Sequence, residues 1–345
     1  MALKFLGKKP IGNRLKRIMA SPNYKNGAFQ NLEHTEVMRK GASFWSITKE
    51  MLNRPKTVKP SKPMPSVKIN LSDLSGDTPT IVWFGHSSYF INSKGFTILV
   101  DPVFSGNASP VSFFGKAFEG ADVYAVEDFP TIDVLLITHD HYDHLDYKTV
   151  VQLIPTTKRI ITSLGVGEHL EYWGFKPEII TELDWWESAT ITADINFTAT
   201  PARHFSGRSL KRGTSLWSSF VLNLNGYRLI LGGDSGYGTH FKTIGEKFGP
   251  FDLAILENGQ YGHNWPHIHM MPEEVVIAAQ DLKANIVLPV HWGKFVLSIH
   301  PWDEPIKRFT AAATKAQLAF ATPKIGEPYT IGGKVETENW WEDFD

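Results

Sequence analysis

The chain is patterned as a series of short apolar runs, each broken off by a small polar or charged cluster. Ile81-Val82-Trp83-Phe84, Ser88-Tyr89-Phe90-Ile91 and Phe96-Thr97-Ile98-Leu99-Val100 follow one another with only turn residues between them. That spacing predicts a meander of adjacent strands. Val134-Leu135-Leu136-Ile137 reads as a buried strand. Beyond it the pattern alternates. A helix is predicted from Tyr147 to Ile154, a strand at Arg159-Ile160-Ile161-Thr162, a helix from Gly165 to Trp173 and a short strand at Glu178-Ile179-Ile180. Ala189 to Thr200 predicts one further strand, and apolar runs end again at Leu231 and at Val290. No internal repeat occurs at the periods of solenoids or propellers.

Before Thr80 the pattern weakens. Residues 53–68 are rich in proline and lysine and predict an extended strap. The first 32 residues carry Lys4, Lys8, Lys9, Arg14, Lys16, Arg17 and Lys25 and no acid. With Phe5, Leu6, Ile11, Leu15, Ile18 and Met19 interleaved, this arm suits either a terminal extension partly packed on the domain or a contact with an anionic membrane surface. The packed extension is the expectation. The chain is therefore divided into an arm and strap, 1–75, and a main domain, 76–345.

Composition narrows the picture without deciding it. In 345 residues, 42% are hydrophobic and 21% charged, as in a soluble globular protein. A net charge of −1 speaks against general nucleic-acid binding. With no cysteine, neither disulfides nor thiolate metal sites can form. No run reaches the roughly 18 apolar residues of a membrane span, and the first residues lack the apolar stretch of a secretory signal. A cytoplasmic location is expected, with peripheral membrane contact as its variant. Trp- and Phe-rich segments suit either a homodimer face or a lipid entrance, and composition does not choose between them.

The chemistry is concentrated in Thr138-His139-Asp140-His141-Tyr142-Asp143-His144-Leu145-Asp146. Three imidazoles and several carboxylates directly after a core strand cost stability unless they bind something. A His-x-His pair puts both rings on one side of an extended segment, and the Asp-His that follows can turn to a second ion. Imidazole and carboxylate without thiolate suit zinc, with iron or manganese as alternatives. Further on, His204, Asp234 and His291 each stand just past an apolar strand. Together they complete two coordination shells. One ion would take His139, His141 and His204, the other Asp143, His144 and His291, with Asp234 bridging. Asp101, also at a strand end, is placed either as a turn former or as a partner for the second nitrogen of a ligand imidazole. His86 is either a ligand-shell residue or a satisfied core histidine, and the core histidine is the expectation.

Rival motifs fail. Gly233-Asp234-Ser235-Gly236 lacks the spacing of a nucleophile elbow, and Gly165-Val166-Gly167 lacks the third glycine of a dinucleotide fingerprint.

These stretches resemble the metallo-β-lactamase superfamily. Within it, the chain is similar to the branch containing N-acylphosphatidylethanolamine-hydrolysing phospholipase D. The closer likeness lies in Trp83-Phe84-Gly85-His86, Leu99-Val100-Asp101-Pro102, Glu182-Leu183-Asp184-Trp185-Trp186-Glu187, Thr200-Pro201-Ala202-Arg203-His204, Gly233-Asp234-Ser235-Gly236-Tyr237, His269-Met270-Met271-Pro272 and Val290-His291-Trp292-Gly293. The resemblance implies an α+β fold, a four-layer αβ/βα sandwich with a dinuclear site at one edge. It implies metal-ligand roles for His139, His141, Asp143, His144, His204, Asp234 and His291. It places His269 near the metals as a substrate contact, in a loop, Asn258 to His269, that also brings Tyr261 as a substrate-binding candidate. A water shared by two ions loses its proton near neutral pH and becomes a nucleophile. Asp143 could take or pass on a proton beside it.

Three functions stay open on this reading. The first is a phosphodiesterase of phospholipase D type acting on a phospholipid or another small phosphodiester. The second is a lactonase or amide hydrolase, and the third a metal-binding protein with little hydrolysis.

Overall fold

The computed structural model describes residues 3–111, 114–209, 211–334 and 339–344. Two seven-stranded sheets carry the main domain. The first is built by β3 (Thr80–Trp83), β4 (Tyr89–Ser93), β5 (Phe96–Val100), β6 (Val134–Ile137), β7 (Ile160–Ser163), β8 (Ile180–Leu183) and the late strand β16 (Pro328–Thr330), which lies beside β3. The second runs from β9 (Ser188–Thr192) through β10 (Ile195–Thr200), β11 (Ser219–Leu224), β12 (Tyr227–Leu231), β13 (Leu253–Glu257) and β14 (Ile286–Val290) to β15 (Ala319–Phe320). A hairpin of β1 (Tyr24–Lys25) and β2 (Ala28–Phe29) stands apart in the arm.

Each sheet is half antiparallel and half parallel. Strands β16, β3, β4 and β5 pair antiparallel, and β5 to β8 pair parallel. Strands β9 to β12 pair antiparallel, and β12 to β15 pair parallel. Side chains alternate across the first sheet with period two. Ile81, Trp83, Tyr89, Ile91, Ile98, Val100, Val134 and Leu136 face the second sheet in one large core. Val82, Phe90, Leu99, Leu135 and Ile137 face outward, against Val150 of α3 (Tyr147–Gln152) and Leu170 and Trp173 of α4 (Gly167–Trp173). The second sheet is covered by α5 (His240–Phe248), α6 (Pro272–Leu282) and α7 (Glu304–Lys315), whose Phe241, Val275 and Phe309 join the large core. Helix–sheet–sheet–helix layering gives the expected four-layer α+β sandwich.

Two expectations along the chain need correction. The single strand expected over 189–200 is a hairpin, because Ala193-Asp194 turns β9 back along β10. The segment before the strap also holds helices, α1 (Gly12–Ala20) and α2 (Phe44–Leu52). In α2, Ser43 caps the first turn by accepting from Ser46 N, a local contact that overrides a weak apolar period. The arm is tied to the domain by ion pairs. Arg14 bonds Glu168, Glu171 and Glu182, and Lys8 reaches Glu168. Among the described residues, no helix is long and apolar enough to cross a membrane.

Candidate metal centre

All the proposed ligands converge at the carboxyl ends of strands, the open edge where irregular backbone can leave a sheet. His139, His141, Asp143 and His144 follow β6, His204 follows β10, Asp234 follows β12 and His291 follows β14. The turn after β6 alternates as expected. His139 and His141 meet in the cleft, Nε2 to Nδ1, at 3.0 Å. Asp140 instead points back into the fold. There it accepts from Gly207 N at 2.6 Å and Ser215 Oγ at 2.8 Å and lies 3.2 Å from His169 Nε2. Tyr142 donates to Arg208 O at 2.6 Å, with the Arg208 guanidinium over its ring.

Two clusters result, each with its ligand atoms within 4.8 Å of one another. One joins His139, His141, His204 and Asp234, and the other joins His86, Asp143, His144 and His291. Asp234 sits between them. Its Oδ2 is 3.2 Å from His144 Nε2, 3.6 Å from His204 Nε2 and 3.8 Å from His139 Nε2, and its Oδ1 is 3.1 Å from His291 Nδ1.

Outer contacts hold these rings in place. Asp101 accepts from Thr138 N at 2.8 Å and Thr138 Oγ1 at 2.6 Å, and its Oδ2 is 2.7 Å from His144 Nδ1. That carboxylate leaves His144 Nε2 as the nitrogen offered to the cleft. Ser87 Oγ lies 2.8 Å from His291 Nδ1, and the Ile268 carbonyl 2.9 Å from His204 Nδ1. Asn31, from the arm, clasps the His204 backbone on both sides. It accepts from His204 N at 3.0 Å and donates to His204 O at 2.8 Å. His86, Asp101 and His291 all adopt left-handed backbone, φ 53°, 42° and 69°. Such strain in non-glycine residues concentrates where geometry is demanded by function. Cross-bonds from His86 N to Trp292 O and His291 N to His86 O tie the two sheet edges together. Gly233, at φ 58°, lets this edge close, since a Cβ there would meet Ser218 O at 3.0 Å and Thr138 Cβ at 3.1 Å.

The residues present fit a pair of cations. His144 Nε2, His291 Nε2 and Asp234 Oδ1 are buried and lack a hydrogen-bond partner, a costly state unless an ion meets them. Burial, followed by neighbouring imidazoles, pushes His139, His204 and His291 well below the usual histidine range. These rings are therefore neutral and ready to ligate. Burial pushes Asp234 up to about 6. Burial also opposes charge on His144, but the carboxylates of Asp234, Asp143 and Asp101 outweigh it and hold this imidazole well above its ordinary value. In the absence of metal, a proton on His144 offsets part of the negative charge.

Two residues matter more here than the sequence reading allowed. His86 is not an inert core histidine. Its Nε2 is 2.9 Å from Asp143 Oδ2 and its Nδ1 lacks a partner. Glu257, the last residue of β13, is fully buried, accepts from Met270 N at 2.7 Å and lies 3.1 Å from His269 Nδ1. Burial holds its carboxyl well above the usual range. The sequence did carry a signal for it, a polar residue closing an apolar strand, as at Asp234.

A cavity of about 810 Å³ opens onto both clusters, with His141, Asp143, His204, Asp234, His269 and His291 in its floor. Its walls are largely apolar, from Val37, Met38, Ile47, Met51, Leu52, Phe114, Trp265, Ile268 and Leu297, with Arg54 and Arg212 among them. Tyr261 is not part of this wall. It is buried, and its hydroxyl donates to Glu304 Oε1 of α7 at 2.7 Å. The loop turns Gln260, Trp265, Ile268 and His269 inward and Tyr261 outward.

Paired imidazole–carboxylate clusters at the edge of an αβ/βα sandwich define a metal-dependent hydrolase. The beta-lactamase superfamily domain matches residues 97–292. An uncharacterized protein of Mycobacterium tuberculosis is 38% identical over 326 residues, covering 93% of this chain and 87% of that one. N-acyl-phosphatidylethanolamine-hydrolyzing phospholipase D 1 of Caenorhabditis elegans is 30% identical over 263 residues, 71% of this chain and 74% of that one. Igni18, a metallo hydrolase of the archaeon Ignicoccus hospitalis, shares the fold at a TM-score of 0.57 and 20% identity, covering 74% of this chain and all of that one. The chain belongs to the metallo-β-lactamase superfamily.

Proposed function

We propose that this protein is a zinc-dependent phosphodiesterase of phospholipase D type, acting on phospholipids like N-acylphosphatidylethanolamine. The observation that carries this reading is the union of the two clusters with a largely apolar cavity bearing two arginines. Two divalent cations, when bound, supply an acidified water as nucleophile and polarise the phosphoryl group. Imidazole and carboxylate donors suit zinc, and iron or manganese would find the same atoms.

The chain's own residues set the rest. His139, His141 and His204 would hold one ion, and Asp143, His144 and His291 the other, with Asp234 between. The apolar walls take acyl chains and exclude water, as in most small-molecule sites. Arg54 and Arg212 attract an anionic phosphodiester. Asp143, facing the cavity floor, can accept the proton released when water attacks. Glu257 fixes the ring of His269 through Nδ1, which leaves Nε2 for a phosphoryl oxygen. Attack at phosphorus breaks the bond to the head-group oxygen, the proton taken up by Asp143 passes to that oxygen as it leaves as an alcohol, and phosphatidic acid remains.

Purified, zinc-loaded protein should release phosphatidic acid from N-acylphosphatidylethanolamine and cleave bis-p-nitrophenyl phosphate. Chelation should abolish both activities. Turnover of a lactone with both phosphodiesters untouched would replace this reading by a carbonyl hydrolase.

A further inference from the structure

The cavity floor is occupied by the two clusters, but part of its wall is held by a residue that belongs to neither. Gln260, in the loop after β13, has left-handed backbone at φ 59° and is 5% exposed. That conformation costs free energy in a residue with a Cβ and persists only where surrounding contacts impose it.

Here the contacts use both ends of the residue. Its backbone N donates to His300 Nε2 at 2.9 Å, and its carbonyl accepts from Trp265 Nε1 at 2.8 Å. Its side-chain Nε2 donates to Phe295 O at 3.2 Å, and Oε1 accepts from Leu297 N at 2.9 Å. His300 is itself fixed as an acceptor. Its Nδ1 donates to Pro301 O at 2.7 Å, and its ring stacks on Tyr261 with centroids 4.5 Å apart. Burial holds this imidazole below its ordinary value and so neutral.

Two of the partners are cavity wall. Trp265 comes from the loop after β13 and Leu297 from the loop after β14, and both line the apolar space with Gln260. Trp265 is also confined from behind, since a Cβ at Gly262 would meet its ring at 2.9 Å. One glutamine therefore couples two loops whose apolar side chains face the same ligand space.

We propose that Gln260 is a specificity-determining residue: it locks Trp265 and Leu297 in the positions that grip an alkyl chain, and so sets how strongly long-chain phosphate esters are preferred over short ones. It is a positioning residue, acting through those two side chains and touching no reacting atom. The inference rests on the phosphodiesterase reading of the same site, yet binding tests it without turnover.

Calorimetric titration of zinc-loaded protein with hexyl, octyl and decyl phosphate reads the wall directly. Wild-type affinity should rise with chain length, by up to about fourfold per methylene at full burial. Gln260→Ala removes both side-chain bonds, and His300→Phe keeps a ring against Tyr261 but removes the acceptor. Each should cut the gain in affinity from hexyl to decyl phosphate by about tenfold, with a smaller change for hexyl phosphate itself. His300→Gln, whose Oε1 can accept from Gln260 N, should restore most of the gain. In turnover, the ratio of kcat/KM for a long-chain phospholipid to that for bis-p-nitrophenyl phosphate should fall about tenfold in the first two variants, the size of a one-methylene misfit in an apolar pocket.

A wild-type affinity that does not rise with chain length overturns the proposal, as does an unchanged gain in the variants. Equal losses at every chain length also overturn it, because general loosening or loss of metal would act that way. If Gln260→Ala proves unfolded by circular dichroism, the two His300 variants decide. A chain-length gain that is lost in the variants of a protein inert toward phosphodiesters would uphold the role of Gln260 and remove the phosphodiesterase reading instead.

Discussion

The two sheets share one layout, antiparallel on one side and parallel on the other, but they equip the site differently. The first sheet delivers four candidate ligands from one turn after β6, His139, His141, Asp143 and His144. The second delivers three, one each from the ends of β10, β12 and β14, and they meet only because those strands run in the same direction. The first half-site is local, set by alternation along a few residues. The second is assembled by topology and depends on outer contacts such as the Asn31 clasp on His204. Both contribute buried atoms without a protein partner, His144 Nε2 from the first and Asp234 Oδ1 and His291 Nε2 from the second.

Asp234 comes from the second sheet and lies between both clusters, so its loss should be the most damaging. Asp234→Ala is expected to lower kcat/KM for bis-p-nitrophenyl phosphate at least about a thousandfold. Elemental analysis should find less than the full metal complement. Wild-type activity in metal-free Asp234→Ala would break the link between the sheets. On the first sheet, Asp101→Asn keeps the shape around His144 but removes the charge that makes it a strong donor. Metal affinity should fall by about ten- to a hundredfold, read by competition with a chromophoric chelator.

Acid should expose the imidazoles that burial keeps neutral. His86 and His141 are lowered to about 4, and His240, packed beside Ser235, to about 3. Between about pH 6.5 and those values the unfolded chain binds more protons than the folded one. Their contribution to stability is therefore present above pH 6.5 and lost as pH falls toward 4. His139, His204 and His291 act in the same direction, while His144, Asp234 and Glu257, all held high, contribute with the opposite sign, three groups against these six. Urea unfolding of metal-free protein should show a loss of about 2 kcal/mol or more from pH 7.5 to 5. Equal stability at both values would show that these rings charge freely in the folded state.

The smallest effect is expected at the clasp. Asn31→Ala removes both hydrogen bonds to the His204 backbone and one from Trp217 Nε1. It should cost about 1–2 kcal/mol and weaken metal binding at the cluster containing His204 more than at the other. An equal loss at both clusters would indicate general loosening rather than support of one ligand.

Some of this was legible from residues alone because the physics is local. Period-two alternation marked the core strands, and the density of polar groups in Thr138–Asp146 favoured binding over a solvated turn, although Asp140 and Tyr142 serve the fold instead. The same logic extended to single polar residues closing apolar strands, His204, Asp234 and His291. It did not reach Glu257, whose role depends on His269 arriving from a different loop, nor His86, which matters because Asp143 folds against it. Tyr261, expected at the substrate, lies outside the cavity lining for the same reason. A loop's composition does not say which side chains turn inward, and α7 offered its hydroxyl a carboxylate.

Sequence by itself therefore determined the strands, the donor types and the chemistry they can support, since backbone periodicity and ligand preference are properties of residues. Only the tertiary structure decided which donors lie close enough to share an ion, which side chains line the cavity and which basic residues are already paired. Those outcomes depend on distances between segments far apart in the chain, and distance governs both coordination and Coulomb energy.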